Sequence, residues 1–163
     1  MVNSKKLVVF YSLGGNTKFI SEEIKKEVGA DLLQLKVLDE KIKAKGIMKY
    51  LKGGKQALSD AKPKLEPFNI NLDNYDTIII GTPIWASNYV PAINTFLTDN
   101  KITNKKIALF CCHAGGGSGK VFEKMRENLK GNSIIGEIEF KNPLKVDKIN
   151  SINILKKWLN DIL

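Results

Sequence analysis

Short apolar runs rich in β-branched residues alternate along this chain with stretches of helical periodicity, and that alternation limits the fold more than any other feature. Lys6 to Tyr11 is a continuous run of this kind, as a strand needs when both faces of its sheet are covered. Leu32 to Val37, Thr77 to Gly81, Lys106 to Cys111 and a segment within Ser133 to Phe140 read as four further strands. Between the first two, Phe19, Ile20, Ile24 and Val28 predict a helix from Asn16 to Val28, with Gly29 as its stop. Helices are also expected from about Pro91 to Leu97, from Lys120 to Leu129, and from Val146 to Leu163 with Trp158 inward. A less regular one is outlined by Ile47, Leu51 and Leu58 and interrupted by Gly53-Gly54. Strands alternating with helices predict a doubly wound, mostly parallel α/β sheet. No repeat or interdomain linker divides the 163 residues, so one domain over 1–163 is expected.

Composition narrows the function. Every apolar run is far shorter than the ~20 residues that cross a bilayer, so no membrane span is expected. Lys5-Lys6 precede an apolar run that breaks at Ser12 without a small-residue cleavage site, so no signal peptide and a cytoplasmic location are expected. The two cysteines, Cys111 and Cys112, are adjacent and would point to opposite faces of a strand, which suits reduced thiols rather than a disulfide or a metal site. Net charge is +9, and the segment 36–64 holds nine lysines against Asp39, Glu40 and Asp60. No aromatic interleaving or recognition motif accompanies those lysines, so they read as a solvated face and not as a nucleic-acid surface.

The unusual loops follow the first, third and fourth strands, and in a doubly wound sheet these lie together on the edge where ligands bind. The first, Ser12 to Thr17, opens a helix whose free N–H groups favour an anion. Its glycines permit close backbone approach, and Ser12, Asn16 and Thr17 can donate to phosphate oxygens. With no Lys or Arg inside the loop, neutral donors would hold the anion, which suits a buried phosphomonoester. The other reading is a plain helix start capped by Asn16.

Ser12-Leu13-Gly14-Gly15-Asn16-Thr17 resembles the phosphate-binding loop of the flavodoxin family, whose form is Ser/Thr-x-Thr-Gly-x-Thr after the first strand. Gly14 replaces a hydroxyl residue of that pattern. The second loop, Gly81-Thr82-Pro83-Ile84-Trp85-Ala86, is similar to the family's isoalloxazine loop, and the run through Pro91 and Phe96-Leu97 is similar to a short flavodoxin-like group. The third, Cys112-His113-Ala114-Gly115-Gly116-Gly117, corresponds to its other flavin-contacting loop, without the stacking Tyr common there. The resemblance implies a three-layer sandwich with helices on both faces of a five-stranded parallel sheet of order 2-1-3-4-5. It implies FMN as the cofactor, with the phosphate at Ser12 to Thr17, and the ring framed by Thr82, Pro83, Ile84 and Trp85 and by residues 112–117. Trp85 would stack on the flavin, and His113, the single histidine, would either meet it or lie on the rim.

Rival phosphate chemistries fail on particular residues. A nucleotide P-loop ending at Gly119-Lys120 would need glycine where Ala114 stands and a hydroxyl where Val121 stands, and Lys120 breaks a dinucleotide fingerprint. No acidic pair follows the first strand as a receiver domain requires, and Gly117 and Ser118 stand six residues after the cysteines, where a Cys phosphatase requires Arg. An FMN-binding redox protein is therefore expected, with no side chain acting as acid or base. Its partner would be a redox protein or a small acceptor such as a quinone. The alternative is an NAD(P)H-dependent FMN or quinone reductase of the same fold, which the basic charge and the small Ala86, Ser87 and Ala114 favour.

Overall fold

The computed structural model describes residues 4–38 and 61–163. The expected central helix around Ile47 to Leu58, and most of the lysine-rich segment, lie outside the described residues. In chain order the elements are β1 (Lys6–Phe10), α1 (Asn16–Val28), β2 (Asp31–Gln34), β3 (Thr77–Trp85), β4 (Asn88–Tyr89), α2 (Pro91–Asp99), β5 (Lys106–His113), α3 (Val121–Asn128), β6 (Ser133–Lys141) and α4 (Lys148–Ile162). A single 3-10 turn, Leu72–Asn74, leads into β3.

The long strands run parallel in the order β2-β1-β3-β5-β6, which is the expected 2-1-3-4-5 once the short antiparallel β4 is set aside. Alternate residues of β1 divide the core. Leu7 and Val9 face a cluster completed by Ile93 and Phe96 of α2 and Met125 of α3. Val8 and Phe10 face a second cluster with Ile20 and Ile24 of α1 and Leu155 and Leu159 of α4. Trp158 is half-buried against that second cluster, as its helical spacing predicts. Both faces are thus covered, which explains why β1 is apolar from Leu7 to Phe10.

The structure differs from the sequence expectations mainly at strand ends. β3 continues past Gly81 to Trp85, because Thr82 and Pro83 pair with Cys111 and Cys112 of β5. Pro83 is tolerated because Gly81 O accepts from Tyr11 N–H, and two residues on the backbone faces the same side, where β1 has already ended. Ile84 and Trp85 then pair with Tyr89 and Asn88 in a hairpin whose turn residues, Ala86 and Ser87, both take positive φ, 48° and 64°. β5 extends to His113, so Cys112 and His113 end a strand instead of opening a loop. β2 stops at Gln34, and Val37 forms only an isolated bridge to Leu65.

Candidate functional site

The chain between β1 and α1 turns at Gly15, whose φ of +88° only glycine adopts readily, and Gly15 rather than Asn16 is the N-cap of α1. The capping role that the plain helix-start reading gives Asn16 belongs to Ser12, whose Oγ accepts from Lys18 N–H at 3.2 Å. Asn16 is drawn elsewhere: its Oδ1 accepts from Leu144 N–H at 3.1 Å. Thr17 is buried, and its hydroxyl is hydrogen-bonded to the Cys112 thiol. Leu13 is 57% exposed at the tip of the loop, and a Cβ placed on Gly14 would meet nothing within 4 Å, so the cradle is open to solvent there. The first turn of α1 carries no acidic side chain, and Lys18 lies along the helix surface beside Glu22, 3.8 Å away. What faces the cradle is the set of first-turn N–H groups, which a helix cannot satisfy internally, plus the Ser12 hydroxyl and the Asn16 amide.

The second segment forms a wall beside the cradle. Trp85 is half-buried and meets Tyr11 edge to face, with ring centroids 5.7 Å apart and planes at 88°. Thr82 is fully buried, and its hydroxyl donates to Pro83 O at 2.8 Å and accepts from Val90 N–H at 3.2 Å, tying β3 to the start of α2. Its side chain is therefore structural, and only its backbone can serve a ligand. Opposite Trp85 in the hairpin, Asn88 is 2% exposed. Its Oδ1 accepts from Tyr89 N–H at 3.0 Å, while its buried Nδ2 has no hydrogen-bond partner among the described residues. A buried donor left unmade costs about 1–3 kcal/mol and calls for an explanation, of which a ligand is one.

The third segment is held by β6. Gly117 N–H donates to His113 Nδ1 at 3.3 Å, so of the glycine amides expected to face a ring, those of Gly115 and Gly116 remain. A Cβ on Gly116 would meet nothing within 4 Å. Ser118 N–H donates to Glu139 Oε2 at 2.8 Å, and Glu139 Oε1 lies 3.6 Å from His113 Nε2. Bonds from Ser118, its hydroxyl foremost, hold the Glu139 carboxyl below its ordinary range with help from His113, against some burial. Cys112 points to the opposite face, where burial pushes its thiol up to about 12 despite the bond from Thr17, and Cys111 is raised further by burial. Both are buried free thiols, so Cys112 can serve the edge only through its backbone.

A fourth segment, not expected from the sequence, joins the other three. Asn142, at φ +40°, donates from Nδ2 to Ala114 O at 3.2 Å and from N–H to His113 O at 2.9 Å. Two residues on, Leu144 bonds Asn16, and its Cδ1 lies 3.3 Å from where a Cβ on Gly15 would be. Asn142 and Leu144 thus fasten the third loop to the first. The signal available was positional: an Asn-Pro pair directly after the last strand, on the same edge as the other loops. Tyr11, read only as the end of a strand, was missed as the partner of Trp85, as were Asn88 and Glu139. Among the described residues no cluster of three or more His, Cys, Asp or Glu could hold a metal, and no helix is long and apolar enough to cross a membrane.

Comparison with known proteins places the family and the fold. Residues 5–162 match the family model described as Flavodoxin. No curated protein matches the chain. Among solved structures, a candidate flavoprotein from Bacteroides uniformis superposes with a TM-score of 0.77 at 21% identity, covering 96% of this chain and 98% of that one. A flavoprotein from Lactobacillus acidophilus solved in complex with FMN superposes at 0.66 with 28% identity, over 89% of this chain and 97% of that one. A flavodoxin from the domain Archaea superposes at 0.51 with 20% identity, over 96% and 95% of the two chains.

Proposed function

The chain belongs to the flavodoxin family, and on that premise we propose that it is a redox protein that transfers electrons through noncovalently held FMN. FMN is the cofactor, as it is in the Lactobacillus acidophilus relative. One observation carries the fit to this chain: a phosphate cradle of neutral donors and an aromatic wall share one sheet edge with a buried amide donor, Asn88 Nδ2, that lacks a protein partner.

When bound, FMN would supply the redox chemistry. The protein's part is to hold and tune it. Ser12, Asn16 and the N–H groups from Gly14 to Thr17 hold the phosphate, with the positive end of α1 behind them. Pro83, Ile84 and Trp85 offer the ring an apolar surface, which disfavours added negative charge there. The amides of Gly115 and Gly116, and Asn88 Nδ2, supply donors to polar edges of the ring. No residue acts as acid or base. The protein works as a single domain in the cytoplasm, with a redox protein or a small acceptor such as a quinone as its partner.

A second reading, an NAD(P)H-dependent FMN or quinone reductase, is favoured by the exposed turn at Ala86-Ser87 and by Ala114, small residues that leave room above a ring. An anaerobic absorbance titration separates the two. The FMN-loaded protein, freed of excess cofactor, is mixed with NADH or NADPH. Flavin bands that persist until a chemical reductant is added are the expected result for a carrier. Rapid bleaching by the nicotinamide would replace it with the reductase reading.

A further inference from the structure

The loop after β5 is folded back onto two side chains of its own sheet. His113 ends β5 with its side chain 9% exposed, and its Nδ1 accepts the Gly117 N–H at 3.3 Å. Gly117 reaches this position with φ +71°, a conformation that turns its amide back toward the strand and that other residues adopt only under strain. An imidazole that accepts at Nδ1 carries its proton on Nε2, and here Nε2 faces Glu139 Oε1 at 3.6 Å. Glu139 in turn takes the Ser118 N–H at 2.8 Å and the Ser118 hydroxyl. Two successive backbone donors of the loop, Gly117 and Ser118, therefore end on this pair.

We propose that His113 is the positioning residue of the third cofactor loop: oriented by Glu139, it holds 114–119 in the form that takes FMN, and its protonation releases that form. The proposal rests on the FMN reading above. Protonation places a hydrogen on Nδ1 opposite the Gly117 N–H, and two donors cannot share that contact. The same proton strengthens the attraction of Nε2 to Glu139, so the ring stays on β6 while the loop loses its Gly117 bond and is left held through Ser118 and Ala114. The other groups on this side do not substitute for it. Cys111, two residues back on the same strand face, is a thiol that burial keeps neutral. Lys141 of β6 passes Gly115, its Cε 3.8 Å from where a Cβ there would be. Arg126 of α3 is engaged by Glu137.

Two titrations of the full chain, between pH 8 and pH 5 where imidazole changes charge, test the proposal. One follows the Gly117 amide and His113 imidazole resonances without cofactor; the other measures the FMN dissociation constant. The Gly117 amide should move with the imidazole, and FMN affinity should fall about three- to tenfold more in the wild type than in His113→Asn, whose Oδ1 keeps an acceptor for Gly117 and does not titrate. The phosphate of FMN titrates near pH ~6 and does so in both proteins, so it cancels in that comparison. A Gly117 amide that ignores the imidazole, or equal pH dependence in wild type and His113→Asn, would overturn the proposal. FMN that bound at no pH would overturn the cofactor reading and the loop's role in it, while the Gly117 titration would still report on the tether itself.

Discussion

Gly81 and Trp85 show how much a single position can carry. Gly81 lies inside β3 opposite Phe110 of β5, and a Cβ on it would fall 2.1 Å from a carbon of that ring. The glycine is there for close approach, not for a turn. Gly81→Ala should lower stability by roughly 1–3 kcal/mol, the usual cost of overfilling a packed core, and thermal unfolding measures it. A melting temperature equal to the wild type would mean that Phe110 yields freely. Trp85 was legible from its place after the third strand, yet its partner was not: Tyr11 comes from β1, and only the pairing of β1 with β3 brings the two rings together. Trp85→Ala should weaken FMN binding by roughly 0.5–1.5 kcal/mol and shift the flavin reduction potentials, both measurable by fluorescence and spectroelectrochemistry. Unaltered affinity and potentials would remove Trp85 from the flavin's surroundings.

At the scale of elements, α1 is the best-read part of the chain and the most informative. Its periodicity, its glycine stop and its glycine-rich start were all plain in the sequence, and the helix spans the expected Asn16–Val28. The use of its first side chains was not plain. Ser12 takes the cap and Asn16 reaches Leu144, 128 residues away, because the β6–α4 connection arrives at the same corner. An anion at this helix end gains from the free N–H groups and the dipole, so FMN should bind substantially more tightly than riboflavin, which lacks the phosphate. Equal dissociation constants for the two would show that the phosphate is held elsewhere. Strand ends were the least legible elements. Pro83 and the glycines around it suggest a loop, and β3 continues through them only because β5 offers partners as far as Cys112.

Over the whole molecule, the balance of charge is the property that separates this chain from an acidic electron carrier. A net charge of +9 attracts anions over roughly 10 Å at moderate ionic strength. Reoxidation of the reduced protein by ferricyanide, an anionic acceptor, should slow as salt is added, while reoxidation by a hexaammineruthenium cation should quicken. Salt dependences of the opposite sign would show that the flavin edge itself is acidic despite the total. The lysine-rich segment 36–64 lies largely outside the described residues, so this prediction stands on net charge alone.

The sequence by itself determined the class of fold, the order of strands and helices along the chain, and the edge on which its odd loops collect. Those follow from periodicity and from glycine and proline, which act within a few residues of chain. Tertiary structure decided which donors stay free. Thr82, Thr17 and Gly117 each carry a donor that suits a phosphate or a ring, and each is engaged by Pro83, Cys112 or His113. Asn88, unremarked in the sequence, keeps a buried N–H without a partner among the described residues. A hydrogen bond needs its acceptor within about 3 Å, and where acceptors come from strands far apart in the chain, only the packed sheet can say which donors remain for a ligand.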